Sequence, residues 1–405
     1  MAPIHSSHRL HGTLLLLVLV AATAFLSAAA GREEALAARH EQWMAKHGRL
    51  YTDAAEKLHR QEVFAANAWH VDAVNQAGNR TYTLGLNQFS DLTYEEFAEK
   101  HLGYSHQPVA TVNMSKAQFR STPDSVDWRG AVTQVKNQLS CACCWAFVAV
   151  AATEGLVKVA TGNLISMSEQ QVLDCTGSRS TCKGGYINDA LNYITASGGL
   201  QLEKDYAYSG QQGACRSSGV SPNSAASVGA PRFASLHGDE GALQELVASQ
   251  PVAVAVEADY DFQHYFAGVY TGSSSCGQKL NHAVTVVGYG NVDGSEKMEY
   301  WMVKNQWGSG WGEGGYMRLT RGNGSNNCGM ATYAYYPTYD LSSRGDSMAY
   351  VIAGGPLVGV VIAEMMFRTA KLFLSLDIHG PGQKVIAING KLGKFFLGYA
   401  QHILH

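Results

Sequence analysis

Three residues that could together carry out nucleophilic chemistry lie far apart in the sequence. Cys144 follows a polar turn and begins an apolar helical stretch, where the helix dipole favours the thiolate form of a thiol. His282 lies at the start of a run typical of a buried strand and could accept the thiol proton. Asn305 ends the next apolar run, where its amide oxygen could accept the ring N–H and fix the imidazole tautomer. The three residues predict a site for acyl transfer.

Each of the three residues also has an ordinary structural interpretation, as a buried cysteine, a core histidine and a turn asparagine. A zinc site is a further interpretation, built from Cys141, Cys143 or Cys144 together with Cys175 and Cys182. The spacings of these cysteines suit a tetrahedral site poorly. We therefore expect no metal and no cofactor.

The composition predicts a globular protein large enough for one sizeable domain and shorter accessory segments. The chain has 405 residues, of which 46% are hydrophobic, and its formal net charge is −3. Because basic residues are not in excess, the charge gives no support for a nucleic-acid partner.

Residues 1–30 are typical of a secretory signal peptide. A Leu/Val/Ala-rich run precedes the alanines at 28–30, which form a small-residue cleavage site. An N-terminal anchor is the alternative, although the apolar run is short for a membrane span. The secretory pathway would deliver the protein to a vacuole or lysosome or to the extracellular space. Disulfides form there, and Asn79, Asn113 and Asn323 become possible glycan acceptors.

The rest of the chain divides into three parts. Residues 31–121 are charged and show helical periodicity up to about residue 103, before a stretch typical of a linker that is cut. Residues 122–340 are helix-rich at first and strand-like later, which predicts an α+β domain with a helical lobe packed on a β-rich lobe. A ligand cleft is expected between two such lobes. Residues 341–405 have no predicted role and are interpreted as a disordered or removed extension, or as an error of gene prediction.

Around the three candidate residues the sequence resembles the papain-like cysteine proteases, and the likeness covers roughly residues 35–340. The signature of that family is Cys-Gly-[Ser/Ala]-Cys-[Trp/Tyr], with a histidine and an asparagine about 130–150 residues downstream. In this chain His282 and Asn305 follow Cys144 by 138 and 161 residues. The resemblance implies a papain-like fold of two lobes and a cysteine endopeptidase.

Three positions depart from the family pattern. Ala142 replaces the signature glycine, Cys143 replaces serine or alanine, and Leu139 replaces a further glycine after Gln138. These departures favour an alternative function, in which a protein with this fold has weak or no protease activity and acts as a binding or inhibitory partner.

The charged N-terminal part resembles the inhibitory propeptide of the same family. An interleaved Glu-Arg-Phe-Asn-Ile-Asn pattern is matched at Glu56, Arg60, Phe64, Asn67, Val71 and Asn75. A Gly-Asn-Phe-Asp pattern is matched at Gly85, Asn87, Phe89 and Asp91. An ordinary amphipathic helical hairpin is the alternative interpretation. The resemblance implies that residues 31–121 keep the enzyme inactive by occupying its cleft.

The resemblance also implies catalytic roles. Cys144 would attack a peptide carbonyl, His282 would move the proton, and Asn305 would orient the imidazole ring. Gln138 would donate its side-chain amide to the oxyanion, together with the backbone N–H of Cys144. Trp307 would shield the bond between Asn305 and His282 from water.

Substrate contacts follow by matched position. Gly184 and Gly185 would offer main-chain hydrogen bonds to an extended peptide, and Trp307 would also contact the substrate. The pocket for the second residue before the cut would be lined by Tyr186, Ile187, Ala255, Leu280, Ala283 and Tyr333. This lining is apolar, so the expected substrate is a peptide or protein with an apolar or aromatic side chain at that position.

The resemblance further implies how the eight cysteines are used. The implied disulfides are Cys141–Cys182, Cys175–Cys215 and Cys276–Cys328. Cys143 and Cys144 remain as free thiols. The mature form is expected to be a monomer that does not associate with membranes.

Overall fold

A computed structural model describes residues 31–106, 122–216, 228–272, 276–277, 279–292, 298–322 and 327–339. The predicted signal peptide, most of the predicted linker and the predicted C-terminal extension lie outside the described residues. The possible glycan acceptors Asn113 and Asn323 also lie outside them, whereas Asn79 is described and exposed.

Residues 31–106, here called the N-terminal segment, contain three helices and one short strand. Its elements are α1 (31–47), α2 (Ala54–Ala77), β1 (Tyr82–Leu84) and α3 (Tyr94–His101). The Thr93 side chain accepts from the backbone N–H of Glu96, and the Glu96 side chain accepts from the backbone N–H of Thr93. This capping box satisfies two N–H groups at the start of α3 and fixes the point at which α3 begins.

A helical lobe follows, formed by α4 (Cys144–Thr161), α5 (Glu169–Cys175) and α6 (Ile187–Ala196). Helix α4 is capped at its C-terminus by Gly162, whose φ of 78° lies in the left-handed region that glycine adopts without strain. Apolar side chains cover nearly all of α4, which gives it the length and hydropathy of a membrane span. It is nevertheless mostly buried inside the domain, as the core helix of a globular protein is.

The second lobe is built on a twisted sheet that includes the strand of the N-terminal segment. Its elements in chain order are β2 (Val126–Asp127), β3 (Val228–Ser235), α7 (Glu240–Val247), β4 (Val252–Val256), α8 (Tyr260–Gln263), β5 (Tyr265–Tyr270), β6 (His282–Val292), β7 (Met298–Lys304), β8 (Tyr316–Thr320) and β9 (Tyr333–Tyr339). The strand order is β1-β5-β8-β7-β6-β4-β9-β3, and β2 pairs with β6. The predicted α+β class is confirmed.

Three disulfides are present, and each joins two segments of the same lobe. They are Cys141–Cys182, Cys175–Cys215 and Cys276–Cys328, the same pairs that the resemblance implies. The zinc interpretation is therefore excluded for Cys175 and Cys182, because a sulfur in a disulfide is not available as a thiolate ligand. Cys143 and Cys144 are free and buried.

Candidate active site

The sheet brings His282 and Asn305 to the same edge. Strand β6 begins at His282, and the antiparallel strand β7 ends at Lys304, one residue before Asn305. The start of one strand therefore lies beside the end of its neighbour. Cys144 is the first residue of α4, which packs across this sheet against β6 and β9.

The His282 ring is held by three side chains that follow strand β7. Its Nε2 atom lies 3.0 Å from Oδ1 of Asn305 and 3.3 Å from Nε2 of Gln306. Gln306 is itself fixed, because its Nε2 also donates to the carbonyl of Ala283 at 2.9 Å. The Trp307 ring stacks on the imidazole with a centroid distance of 4.6 Å. These contacts orient the ring so that Nδ1 is directed away from Asn305, and among the described residues this atom has no hydrogen-bond partner.

Both reactive groups are fully buried in this form of the protein. Burial raises the pKa of the Cys144 thiol to about 11, and backbone N–H groups of Gly103 and Ala283 partly oppose that shift. Burial lowers the pKa of His282 to about 3, although the hydrogen bond that its ring donates to Asn305 Oδ1 favours the charged form. The expectation of a thiolate at Cys144 therefore does not hold here, because loss of solvation outweighs the effect of the helix terminus. Both shifts favour the neutral thiol and the neutral imidazole in the closed form.

The N-terminal segment causes this burial by lying across the site. Gln138 donates its side-chain N–H to the carbonyl of His101 at 3.1 Å and to the carbonyl of Cys141 at 2.8 Å. Gly103 passes so close to the start of α4 that a Cβ atom on it would lie 1.8 Å from the carbonyl oxygen of Ala142. A glycine is required at this point because any side chain would overlap backbone atoms.

The same segment pairs with Gly185 on the helical lobe. Gly185 donates its N–H to the carbonyl of Gly103 at 2.9 Å and accepts from the N–H of Ser105 at 2.9 Å. Tyr104, between them, forms a parallel bridge with Gly185 and donates its backbone N–H to Asn281 at 3.1 Å. The main-chain groups of residues 103–105 thus bind as an added strand.

Comparisons with known proteins give the family of this chain. A family model described as "Papain family cysteine protease" matches residues 122–338. A second, described as "Cathepsin propeptide inhibitor domain", matches residues 40–97. Fruit bromelain of Ananas comosus is 41% identical over 323 residues, which cover 77% of this chain and 89% of that protein. The chain belongs to the papain family of cysteine proteases. The N-terminal segment is accordingly called the propeptide from here on.

Other relatives agree with this assignment. Papain of Carica papaya is 42% identical over 307 residues, covering 73% of this chain and 85% of papain. The solved structure of a recombinant stem bromelain precursor is 39% identical, with a TM-score of 0.68, and covers 75% of this chain and 99% of the precursor. The solved structure of a digestive procathepsin L 3 from Tenebrio molitor is 36% identical, with a TM-score of 0.65. The match covers 75% of this chain and 99% of the procathepsin. The predicted papain-like fold with a helical propeptide is confirmed.

The structure brings most of the predicted pocket residues together. Ile187, Ala255 and Ala283 belong to one buried apolar cluster, and the half-buried Leu280 and Tyr333 pack against it. Tyr104 of the propeptide lies in the same cluster.

The remaining predicted substrate-binding residues differ in position. Gly184 lies under the propeptide, where a Cβ atom would be 3.2 Å from the carbonyl oxygen of Gly103. Tyr186 is half-buried and lies outside the buried cluster, with the guanidinium of Arg179 over its ring at 5.3 Å. Trp307 is buried behind His282 and touches the rings of the propeptide. In this closed form Trp307 is therefore a support for the imidazole.

The three departures from the family pattern are accommodated without displacing these residues. Leu139 adopts a φ of 53°, a left-handed conformation that glycine adopts more easily, and its side chain is 48% exposed. Ala142 is buried beneath Gly103. The Cys143 sulfur lies 3.1 Å from the Tyr208 hydroxyl, on the side of the helical lobe.

Sequence reasoning did not identify several residues of the closed site. His101 and Gly103 contact the cleft mainly through backbone groups, which leave no motif in the sequence. Tyr104 contacts it through its backbone and its buried ring. Gln306 is the exception, since its position directly after Asn305 could have suggested a second amide at the imidazole. The strand β1 was also not predicted, because its three residues are ordered by pairing with β5.

Proposed function

We propose that this protein is a cysteine endopeptidase made as a zymogen, with Cys144 as nucleophile. In the open enzyme Cys144 attacks a peptide carbonyl and the C–N bond breaks as His282 protonates the leaving amine. His282 then takes a proton from water, whose oxygen attacks the thioester and releases the acid and the thiol. Asn305 keeps the imidazole in the required tautomer through its hydrogen bond to Nε2.

One observation carries this proposal. The Gln138 amide, at 3.1 Å from the His101 carbonyl, already donates to a peptide carbonyl oxygen near Cys144. A substrate carbonyl at the same donor would gain the stronger hydrogen bond as its oxygen becomes negative, with the backbone N–H of Cys144 as the second donor. The propeptide thus holds main-chain groups where a substrate would place its own.

The propeptide acts as the enzyme's own inhibitor because it occupies the groups of the cleft that a substrate would bind. Residues 101–105 occupy Gln138, the environment of Cys144 and both main-chain groups of Gly185. We propose that a cut in residues 103–121 releases the mature domain of residues 122–340. The opened form is proposed to be monomeric, unattached to membranes, and to act on peptide and protein substrates.

The proposed destination is the secretory pathway, ending in a vacuole or lysosome or outside the cell. The three disulfides support it, because such bonds persist in oxidising compartments. The exposed Asn79, two residues before Thr81, is a proposed glycan acceptor.

The decisive experiment is to label an acid-treated preparation with an epoxide that alkylates activated thiolates and to map the modified residue. Modification of Cys144, together with hydrolysis of peptide substrates that is lost on labelling, is the expected result. The alternative is a weak or inactive protease that binds a partner, which the departures at residues 139, 142 and 143 favour. An opened, folded protein that neither reacts with the epoxide nor cleaves peptides would establish that alternative.

A further inference from the structure

Tyr104 of the propeptide shows what the main side-chain pocket of the cleft accepts. Its backbone is fixed by the bonds of Gly103 and Ser105 to Gly185, so its side chain enters the helical-lobe cluster beside Cys144. The ring is almost completely buried. A propeptide side chain therefore occupies the apolar pocket assigned above to the second residue before the cut.

A polar group lies at the inner end of this apolar pocket. The Tyr335 hydroxyl, on β9, lies 2.8 Å from the Tyr104 hydroxyl, and Tyr335 is only 3% exposed. Within the described residues the Tyr335 hydroxyl bonds to no other group. Tyr333, which is closer to the surface, stacks instead on the ring of His106 at 4.3 Å. Tyr335 was not among the residues expected to line the pocket.

We infer that Tyr335 is a specificity-determining residue, whose hydroxyl makes the pocket select tyrosine over phenylalanine at the second position before the cut. This inference rests on the proposed endopeptidase function. A tyrosine substrate reproduces the pair of hydroxyls seen with Tyr104. A phenylalanine substrate fills the same apolar space but leaves the buried Tyr335 hydroxyl without a partner, which is more costly than lacking the bond in water.

The test compares two fluorogenic peptides that differ only in tyrosine or phenylalanine at that position, using the full chain after its own acid activation. We expect kcat/KM to favour the tyrosine peptide by about 5-fold or more in the unchanged enzyme. In Tyr335→Phe the preference should disappear or reverse, with the loss confined to the tyrosine peptide. Tyr336→Phe is the matched control, because the side chain of Tyr336 lies on the face of the strand opposite to that of Tyr335. It should retain the preference.

Failure of the inference is distinguishable from failure of the proposed function. Cleavage of both peptides with a ratio that Tyr335→Phe does not change would overturn the inference and leave the endopeptidase standing. If no peptide is cleaved and Cys144 is not alkylated, the proposed function fails. The pocket is then tested in the intact zymogen, by comparing the urea midpoints of unfolding of Tyr104→Phe, Tyr335→Phe and the double substitution with that of the unchanged protein. If the double substitution lowers the midpoint no more than either single substitution, the two hydroxyls act as a pair and the inference is supported. If the two decreases add, the inference is overturned.

Discussion

At the scale of single residues, burial in the closed form favours the neutral thiol of Cys144, the proposed nucleophile. Burial raises the pKa of Cys144, and Cys143 beside it has its pKa raised further, again by burial. The two thiols nevertheless have different surroundings. Cys144 lies under Gly103 at the cleft, whereas Cys143 is within hydrogen-bond distance of the Tyr208 hydroxyl. We expect removal of the propeptide to expose the first of these environments, so that Cys144 is the thiol whose ionisation changes on activation.

The two thiols can be separated by substitution. Cys144→Ala should lower kcat/KM for peptide cleavage by about 10⁴-fold or more, because the nucleophile is lost. Cys143→Ser should keep most of the activity, because a hydroxyl can replace the thiol in the contact with Tyr208. Initial rates and epoxide labelling of each activated variant are the measurements. A folded Cys143→Ser protein without turnover, beside an active Cys144→Ala protein, would reverse the assignment.

At the scale of elements, the stretch after α3 determines whether the cleft is closed. Its main-chain contacts are made by the carbonyls of His101 and Gly103 and by the N–H groups of Tyr104 and Ser105. The approach of Gly103 to Ala142 leaves no room for a side chain. Inhibition therefore depends on a close backbone approach, which one added methyl group can prevent.

Gly103→Ala is expected to open the zymogen. Its Cβ atom would lie 1.8 Å from the Ala142 oxygen, so residues 101–105 must shift away from Cys144. The rate of Cys144 alkylation in the full chain at neutral pH should rise by about 10-fold or more, since such an overlap costs about 1–3 kcal/mol. Gly31→Ala, in the same propeptide, is the control because no heavy atom of the described residues lies within 4 Å of its added Cβ. Equal alkylation rates in both variants would contradict this account of closure.

The sequence predicts some of these elements and not others, for physical reasons. Cys144, His282 and Asn305 could be predicted because each needs a particular side chain at a particular end of a helix or strand. The contacts of His101 and Gly103 could not, since a carbonyl or N–H is common to all residues and its position is set by tertiary packing. The burial of Cys144 was missed for the same reason, and with it the direction of its pKa shift.

At the scale of the whole molecule, we expect closure to be coupled to pH through the buried His101. Burial lowers the pKa of His101 to about 4, although its hydrogen bond to the backbone of Leu139 favours the charged form. In the released propeptide this ring is exposed and titrates near its ordinary value of about 6.5. The released state therefore binds the proton first as pH falls from about 6.5 to about 4. Closure loses up to about 3 kcal/mol over that range.

An ion pair adds to this effect at lower pH. Arg60 holds the pKa of Glu96 down to about 2, by hydrogen bonds of 2.6 and 2.8 Å to its carboxylate. The stability that this pair gives the propeptide is present above about pH 4.5 and is lost as pH falls toward about 2. Acid therefore weakens the closed form first through His101 and then through Glu96.

His101→Gln should shift acid activation to lower pH. The glutamine amide can still donate to Leu139 but takes up no proton, so the midpoint of activation is expected to fall by about one pH unit. The midpoint is measured as the rate of Cys144 alkylation in the full chain against pH. His59→Gln, at an exposed position of α2, should leave it unchanged. An unchanged midpoint in His101→Gln would assign the pH response to other groups.

The C-terminal extension should be dispensable for folding and cleavage. Strand β9 ends at Tyr339, and the match to the papain family ends at residue 338. A chain that stops at Asp340 therefore contains every strand of the described sheet. We expect the same soluble yield and the same peptide cleavage after activation as for the full chain. Aggregation or inactivity of the shortened chain alone would show that residues 341–405 stabilise the domain.

The added strand of residues 103–105 makes inhibition a matter of local concentration. While this strand is joined to the mature domain through residues 107–121, it returns to the cleft as an intramolecular ligand, and a short covalent linkage gives such a ligand an effective concentration of about millimolar. One cut in that connection breaks no contact in the cleft, yet it turns the strand into a separate molecule that competes at its actual concentration. Dilution then lets the cleaved propeptide dissociate from the cleft. A compartment in which the protein is concentrated therefore delays activity, and one in which it is dilute hastens activity.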